Sequence, residues 1–204
     1  MVHYIPQLDT DLTPKYIAHL REEFNDALMS LQLPEHPSYL YEPLSYVFSG
    51  KGKRLRPILL CISGRAMGAS EYDLKYAGVA VELLHNFTLV HDDIMDQDDF
   101  RHGKHTIHKK WDESTAILTG DGIYVLSLSL VAKVKTHSLR VIKTFNKAAL
   151  MVCEGQAYDK QYENDKNISI DDYFIMVEKK TGYLIGLCTE LGGILGNQND
   201  KTVE

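Results

Sequence analysis

The stretch VAVELLHNFTLVHDDIMDQDD, at residues 79–99, decides the fold of this chain. Its apolar residues recur at three- and four-residue spacing, and it contains neither proline nor glycine. That pattern predicts one long helix over residues 79–99. We expect the rest of the chain to be organised around this helix.

The C-terminal end of the predicted helix carries Asp92, Asp93 and Asp96. Positions i and i+4 share a helix face, so we expect the three carboxylates to converge. Like charges one turn apart repel, and the negative end of a helix favours cations. Mg²⁺ would relieve both conflicts, because it accepts carboxylate oxygens and keeps sites for water and phosphate. The pattern therefore predicts a Mg²⁺ site at these aspartates, the alternative being a solvated acidic helix end.

The composition is that of a globular protein with one domain, covering residues 1–204. The chain has 44% hydrophobic and 25% charged residues, which is enough for a sizeable core. Its formal net charge of −6 argues against a nucleic-acid partner. A local basic cluster can nevertheless bind an anionic substrate.

Three features predict a cytoplasmic protein without a transmembrane segment. Cys61, Cys153 and Cys188 are odd in number and widely spaced, so we expect reduced thiols in the core. The first residues lack the basic and apolar regions of a signal peptide. No apolar run approaches the length of a membrane span.

The periodicity of the remaining chain favours helices and gives no alternation long enough for a strand. Ser70 with Asp73, and Ser169 with Asp172, have the spacing of capping boxes. We predict an all-α, single-domain helical bundle of about six to eight helices, the longest of about five to seven turns. The expected helices include 13–31, 39–48, 70–99, one from 112, 138–162 and 170–195, with a loop at 98–110.

Several polar residues lie where a plain core is not expected. His85 is two helical turns before Asp92 and shares its face with Thr88, so a site role and a structural role both remain open. A basic turn at residues 50–57, GKGKRLRP, combines flexible glycines with cations that suit phosphate oxygens. Its cations are Lys51, Lys53, Arg54 and Arg56.

Further cations follow the aspartates. Arg101 stands a few residues beyond them, and Lys180 with Thr181 lies inside a predicted helix. Carboxylates that hold a metal, beside cations that hold the same phosphate, are typical of phosphoryl and diphosphate sites. Simple ion pairing is the alternative for each cation.

Six motifs in order resemble the trans-type polyprenyl diphosphate synthases, the farnesyl and geranylgeranyl diphosphate synthase-like family. They are GKGKRLRP (50–57), ELLHNFTLVHDDIMD (82–96), FRHGKHT (100–106), TGD (119–121), GQAYD (155–159) and KKTGYL (179–184). The resemblance implies a helical bundle of the isoprenoid synthase type. It also implies a homodimer that condenses isopentenyl diphosphate with an allylic diphosphate in isoprenoid biosynthesis.

The resemblance also implies a role for each matching residue. Asp92, Asp93 and Asp96 would hold Mg²⁺ on the allylic diphosphate, which Arg101, Lys180 and Thr181 would contact. Lys53, Arg56 and His85, with the adjacent Arg54, would bind isopentenyl diphosphate, and Gln156 would lie near the allylic substrate. Phe87, beside Thr88, would form the floor that limits the product to C15–C20, with plain core packing as the alternative.

Three departures from the family pattern qualify these roles. His102 stands where an arginine that helps to hold isopentenyl diphosphate is usual, which predicts weaker binding of that substrate. His105 replaces a common proline. The chain ends at Glu204, before the family's second aspartate-rich motif, so we expect a C-terminally incomplete bundle that lacks some Mg²⁺ ligands and can be inactive alone.

Other functional classes remain open from the sequence. The chain could be a non-catalytic or regulatory subunit that pairs with a full-length synthase. A metal phosphohydrolase is suggested by His85 and His91-Asp92, but it leaves the basic motifs unexplained. A terpene cyclase would share the aspartates but has no need of the cations at 51–56.

Overall fold

The computed structural model describes residues 12–50 and 52–198, and within them the all-α prediction is confirmed. The described residues form eight α-helices of eight residues or more and one four-residue α-helical turn. They are α1 Leu12–Met29, α2 Ser38–Phe48, α3 Leu55–Ala66, α4 Glu71–Met95, α5 Ile107–Lys110, α6 Glu113–Val131, α7 Ser138–Tyr162, α8 Ile170–Val177 and α9 Tyr183–Leu195.

The centre of the bundle is α4. Every residue from 77 to 84 is buried, so this part of the helix is covered on all sides. Helices α3, α6 and α9 pack on it most extensively, and α1 adds a smaller contact. The chain is therefore organised around this helix, as the sequence predicts.

Helix α4 starts after Ser70 as predicted, but only half of the expected capping box forms and the C-terminal end differs from the prediction. Ser70 accepts a hydrogen bond from the Asp73 N–H at 3.2 Å. The Asp73 carboxylate does not return it, because it accepts from the N–H groups of Lys135 and Thr136 at 2.8 and 3.2 Å. The helix also stops at Met95 rather than at residue 99.

A Schellman-type turn ends α4. Gln97 has a φ of 56°, and the Asp98 N–H donates to the Asp93 carbonyl at 3.0 Å. A left-handed glutamine has no clear sequence signal, so the acidic run after Met95 was wrongly assigned to the helix. The segment 98–110, expected to be a loop, contains a two-stranded antiparallel hairpin, Phe100–Arg101 with Lys104–His105, and then α5.

The last predicted helix is interrupted. The capping box at Ser169 and Asp172 is present and begins α8, as expected. A π-helical turn at Glu178–Gly182 then separates α8 from α9. Such turns insert one extra residue and are frequent at functional sites.

Two expectations about apolar segments and thiols need correction. The 19-residue α6, with a mean hydropathy of 1.4, is long and apolar enough to cross a membrane by length and composition alone. That is weak evidence, because a core helix passes the same test, and α6 packs against α2, α4 and α5. Cys61 and Cys188 are buried as predicted, but Cys153 is exposed because its position on α7 faces a cavity.

Candidate functional site

The carboxylates at the end of α4 point to two different sides of the helix. Successive helical residues point about 100° apart, so Asp93 cannot share a direction with Asp92. Asp93 is buried and accepts a hydrogen bond from Arg101 Nε at 2.7 Å. Arg101 also donates to Asp98 Oδ2 at 3.1 Å. Burial lowers the pKa of the Arg101 guanidinium, but the hydrogen bond and charge of Asp93, with the charges of Asp98 and Asp92, outweigh this effect and raise the pKa. Asp93 is therefore committed to positioning Arg101.

Asp92 and Asp96 face the other side, where lysines meet them. Lys180 Nζ lies 3.3 Å from Asp92 Oδ1, and Lys160 Nζ donates to Asp96 Oδ1 at 2.9 Å. Among residues 12–50 and 52–198, no three His, Cys, Asp or Glu side chains form a group that could hold a metal ion. The prediction that all three carboxylates converge is therefore wrong: Asp92 and Asp96 share one side of α4, and Asp93 faces the other.

Asp92 and Asp96 still fit Mg²⁺. They stand at positions i and i+4, and their oxygens are the ligand type that this ion prefers. Asp92 Oδ1 is buried and forms no well-aligned hydrogen bond, although the Lys180 ammonium lies 3.3 Å away. Asp92 and Asp96 would hold Mg²⁺, whose positive charge would satisfy this buried oxygen.

A first cavity, of about 970 Å³, lies on the Asp93 side of α4. Its basic lining comes from the 50–57 turn and from the hairpin, namely Lys53, Arg56, Arg101, His102 and Lys104. Arg56 Nε is buried and has no acceptor, and burial lowers the pKa of this guanidinium. An anion in the cavity would supply the missing acceptor.

Arg54 also borders this cavity, but its guanidinium is used within the protein. It donates to Asn25 Oδ1 at 2.8 Å, to Glu82 Oε1 at 2.7 Å and to the Gly50 carbonyl. Arg54 is 7% exposed. We therefore correct its predicted part: it anchors the loop that carries Lys53 and does not offer free donors to a substrate. The expected contribution of Lys51 lies outside the described residues.

A second cavity, of about 350 Å³, lies on the Asp92 side. Its walls are mostly apolar, and its polar groups come from α3, α4, α7 and the π turn. The residues predicted for the allylic substrate that line it are Phe87, Thr88, Asp92, Gln156, Lys180 and Thr181. Phe87 stands against Tyr124 of α6, with ring centroids 5.2 Å apart.

Arg56, His85 and Leu89 line both cavities. The two cavities therefore share a wall that lies one to two helical turns before Asp92. Burial, followed by the charges of Arg56, His102 and Arg101, lowers the pKa of His85 to about 3. His85 is thus a neutral imidazole at pH 7, and it can donate one N–H without adding charge.

The π turn sets the position of Lys180. Gly155 of α7 lies so close that a Cβ there would be 2.2 Å from the Lys180 backbone nitrogen. Two ion pairs join the π turn to α7 near this contact: Lys179 pairs with Glu154, and Lys180 donates to Asp159 Oδ2 at 2.5 Å. The missing side chain at Gly155 therefore lets the lysine reach both α7 and the end of α4.

Sequence reasoning missed three residues of this region. Lys160, which lines the second cavity, has no recognised motif; its spacing of four from Gln156 was the available signal. Glu82 is buried as the partner of Arg54, and a carboxylate inside an apolar stretch could have indicated a buried pair. Tyr124 sits in an apolar helix where nothing marked it.

Comparison with known proteins gives a consistent result. The polyprenyl synthetase family model matches residues 37–204. The chain is 40% identical to a geranylgeranyl diphosphate synthase of Methanosarcina mazei over 188 residues, covering 90% of this chain and 58% of that protein. It is 35% identical to a farnesyl diphosphate synthase of Micrococcus luteus over 188 residues, covering 88% and 64%.

Solved structures agree. The crystal structure of geranylgeranyl pyrophosphate synthetase from Pyrococcus horikoshii superposes with a TM-score of 0.87 at 35% identity, covering 94% of this chain and 61% of that one. The chain thus spans roughly three fifths of the length of these relatives.

Proposed function

Because this chain belongs to the polyprenyl synthetase family, we propose that it forms the substrate-binding part of a Mg²⁺-dependent trans-prenyltransferase. The enzyme would condense isopentenyl diphosphate with an allylic diphosphate to a short-chain, C15–C20, polyprenyl diphosphate in isoprenoid biosynthesis. The polyprenyl synthase domain would cover residues 1–204. The observation that carries the proposal is the shared wall between a basic cavity and a largely apolar one.

Isopentenyl diphosphate would occupy the first cavity. Lys53 and Arg56 would hold its diphosphate, and Arg56 Nε would gain the acceptor that it lacks. Neutral His85 would donate one hydrogen bond. His102 is a shorter donor than an arginine and lacks its planar fork, so we expect it to weaken rather than abolish binding.

The allylic diphosphate would lie at the mouth of the second cavity. Lys180 and Thr181 line that mouth, and Arg101 comes within 4.0 Å of Asp92 from the other side. Mg²⁺ held by Asp92 and Asp96 would supply further positive charge to the leaving diphosphate. Asp93 would act through Arg101, and Gln156 would face the allylic chain.

The apolar part of the second cavity would keep water away from the reacting carbons. Ionisation of an allylic carbon–oxygen bond needs stabilised leaving charge and a dry environment for the carbocation. Lys180 and Arg101 would stabilise the negative charge of the leaving diphosphate. Phe87 and Thr88 would form part of the dry environment around the carbocation, and Phe87 would also limit the length of the product.

A prenyl-transfer assay tests the proposal. The chain is incubated with Mg²⁺, labelled isopentenyl diphosphate and a series of allylic primers, beside an Asp92→Asn control that keeps the shape of the side chain. Binding of both diphosphates in calorimetry is expected, and any elongation should require metal and be lost in the control. If the chain folds, binds neither diphosphate in calorimetry and elongates nothing, the proposal is wrong.

We further propose a cytoplasmic homodimer. Leu118 and Val125 lie seven residues apart on α6 and are 47% and 59% exposed, so an apolar strip of this helix is uncovered. A second copy of the chain would cover it. Light scattering after gel filtration should give twice the mass of one chain, and Val125→Glu should reduce it to that of one.

A further inference from the structure

Lys160 contacts one of the two carboxylates at the end of α4 that fit Mg²⁺. Its ammonium donates to the Met95 carbonyl at 3.0 Å, to Asp96 Oδ1 at 2.9 Å and to a Glu163 carboxylate oxygen. An ammonium has three donors, so all of them are used inside this cluster. Lys160 is therefore poorly placed to reach out to an anion.

The helix end explains why a cation rests there. The last carbonyls of a helix carry partial negative charge, and Asp96 adds a full one. Asp92, on the same side, is met by Lys180. Each of the two carboxylates that fit Mg²⁺ is thus neutralised by a lysine from another element.

Besides Asp96, Lys160 has a second carboxylate partner, Glu163, with which it can remain paired. Glu163 follows it by three residues at the end of α7, and its side chain is 47% exposed. The hydrogen bonds to Glu163 and then to Asp96 raise the pKa of Lys160. The ammonium can therefore leave Asp96 and remain paired with Glu163.

We propose that Lys160 is a tethered cation that holds Asp96 in the metal-free protein, and that it must move to Glu163 before a divalent ion can bind. This inference rests on the proposed function, since it concerns the ion that Asp92 and Asp96 would share. It assigns Lys160 as a positioning residue that sets the metal affinity of the site. Its effect is seen in binding, without turnover.

Mn²⁺ binding, followed by electron paramagnetic resonance of the free ion, tests the proposal on the whole chain. Lys160→Met keeps the aliphatic stem and removes the charge. We expect it to bind Mn²⁺ about tenfold more tightly, because a like charge in contact with the site is removed. Lys166→Met, in the loop that follows α7, makes the same change in net charge and should leave the affinity unchanged.

Glu163→Gln should change the affinity for Mn²⁺ in the opposite direction. Without its alternative partner, Lys160 should stay on Asp96, and Mn²⁺ should bind about threefold more weakly. Asp165→Asn removes the same charge from the neighbouring loop and serves as the control. Circular dichroism confirms that each variant is folded.

The outcomes separate this proposal from the proposed function. If Asp96→Asn weakens Mn²⁺ binding but Lys160→Met does not strengthen it, the tethered cation is overturned and the metal site stands. An equal gain in Lys160→Met and Lys166→Met also overturns it, since the effect would then be net charge. If no variant binds Mn²⁺, the metal part of the proposed function fails, and this proposal fails with it.

Discussion

The loop that carries Lys53 is held by a buried ion pair, and breaking that pair should destabilise the whole chain. Arg54 Nη1 lies 2.7 Å from Glu82 Oε1, and the two side chains are only 6% and 5% exposed. The perturbation is Arg54→Met, which keeps the length of the side chain. It leaves the Glu82 carboxylate buried in the centre of α4 without its partner.

The magnitude follows from distance and burial. At 2.7 Å and an effective dielectric of about 20, the direct attraction is about 6 kcal/mol, much of which offsets the cost of removing both charges from water. Removing one partner also strands the other charge. We expect Arg54→Met or Glu82→Leu alone to lower the free energy of unfolding by about 3–5 kcal/mol.

Removing both charges should cost much less than the sum of the single changes. The double variant, Arg54→Met with Glu82→Leu, leaves no buried charge, so we expect it within about 2 kcal/mol of the unmodified chain. Urea denaturation followed by circular dichroism on all four proteins gives the coupling free energy of the pair.

An exposed pair of the same length provides the control. Arg65 and Glu71 also lie 2.7 Å apart, but their side chains are 27% and 67% exposed. Arg65→Met should therefore cost at most about 1 kcal/mol. The reasoning is refuted if Arg54→Met costs no more than Arg65→Met, or if the double variant costs the sum of the two single ones.

Three further changes test the site. Phe87→Ala should enlarge the second cavity and shift the products of a prenyl-transfer assay to longer chains; an unchanged distribution would count against the floor. Gly155→Ala should weaken the binding of inorganic diphosphate about tenfold in calorimetry, because the new Cβ would lie 2.2 Å from the Lys180 nitrogen. Gly186→Ala, which has open space around it, should bind like the unmodified chain. For His85, the pKa falls from 6.5 in the unfolded chain to about 3 when folded, so the unfolded state binds a proton that the folded state does not. The contribution of neutral His85 to the free energy of unfolding is complete above pH 6.5 and is lost as the pH falls towards 3. Between pH 7 and pH 5, the free energy of unfolding of the unmodified chain should therefore fall by about 2 kcal/mol more than that of His85→Gln. Urea denaturation at both pH values measures this difference, and an equal fall in the two proteins would contradict the prediction.

Much of the fold could be predicted from the sequence because its signals are local. The approximate bounds predicted for α7 agree with the observed Ser138–Tyr162, and Ser169 with Asp172 correctly marked the start of α8. Helical periodicity and capping depend on residues within a few positions of each other, so they can be recognised without the rest of the chain. The same holds for the motifs that indicated the family.

The arrangement within the site could not be predicted in this way. That Asp93 turns to Arg101 while Asp92 meets Lys180 depends on which cations other elements bring to the end of α4. That Arg54 is an anchor rather than a free donor depends on a carboxylate 28 residues away.

The sequence by itself determined that this protein is a helical bundle of the polyprenyl synthetase family, with its acidic and basic motifs in order. Only the tertiary structure decided how the charges of those motifs pair, where the π turn falls and which side of α4 each cavity occupies. The physical reason is that periodicity and capping act over a few residues of the chain. Ion pairing and cavity shape instead depend on groups that are distant in the chain and adjacent only after folding.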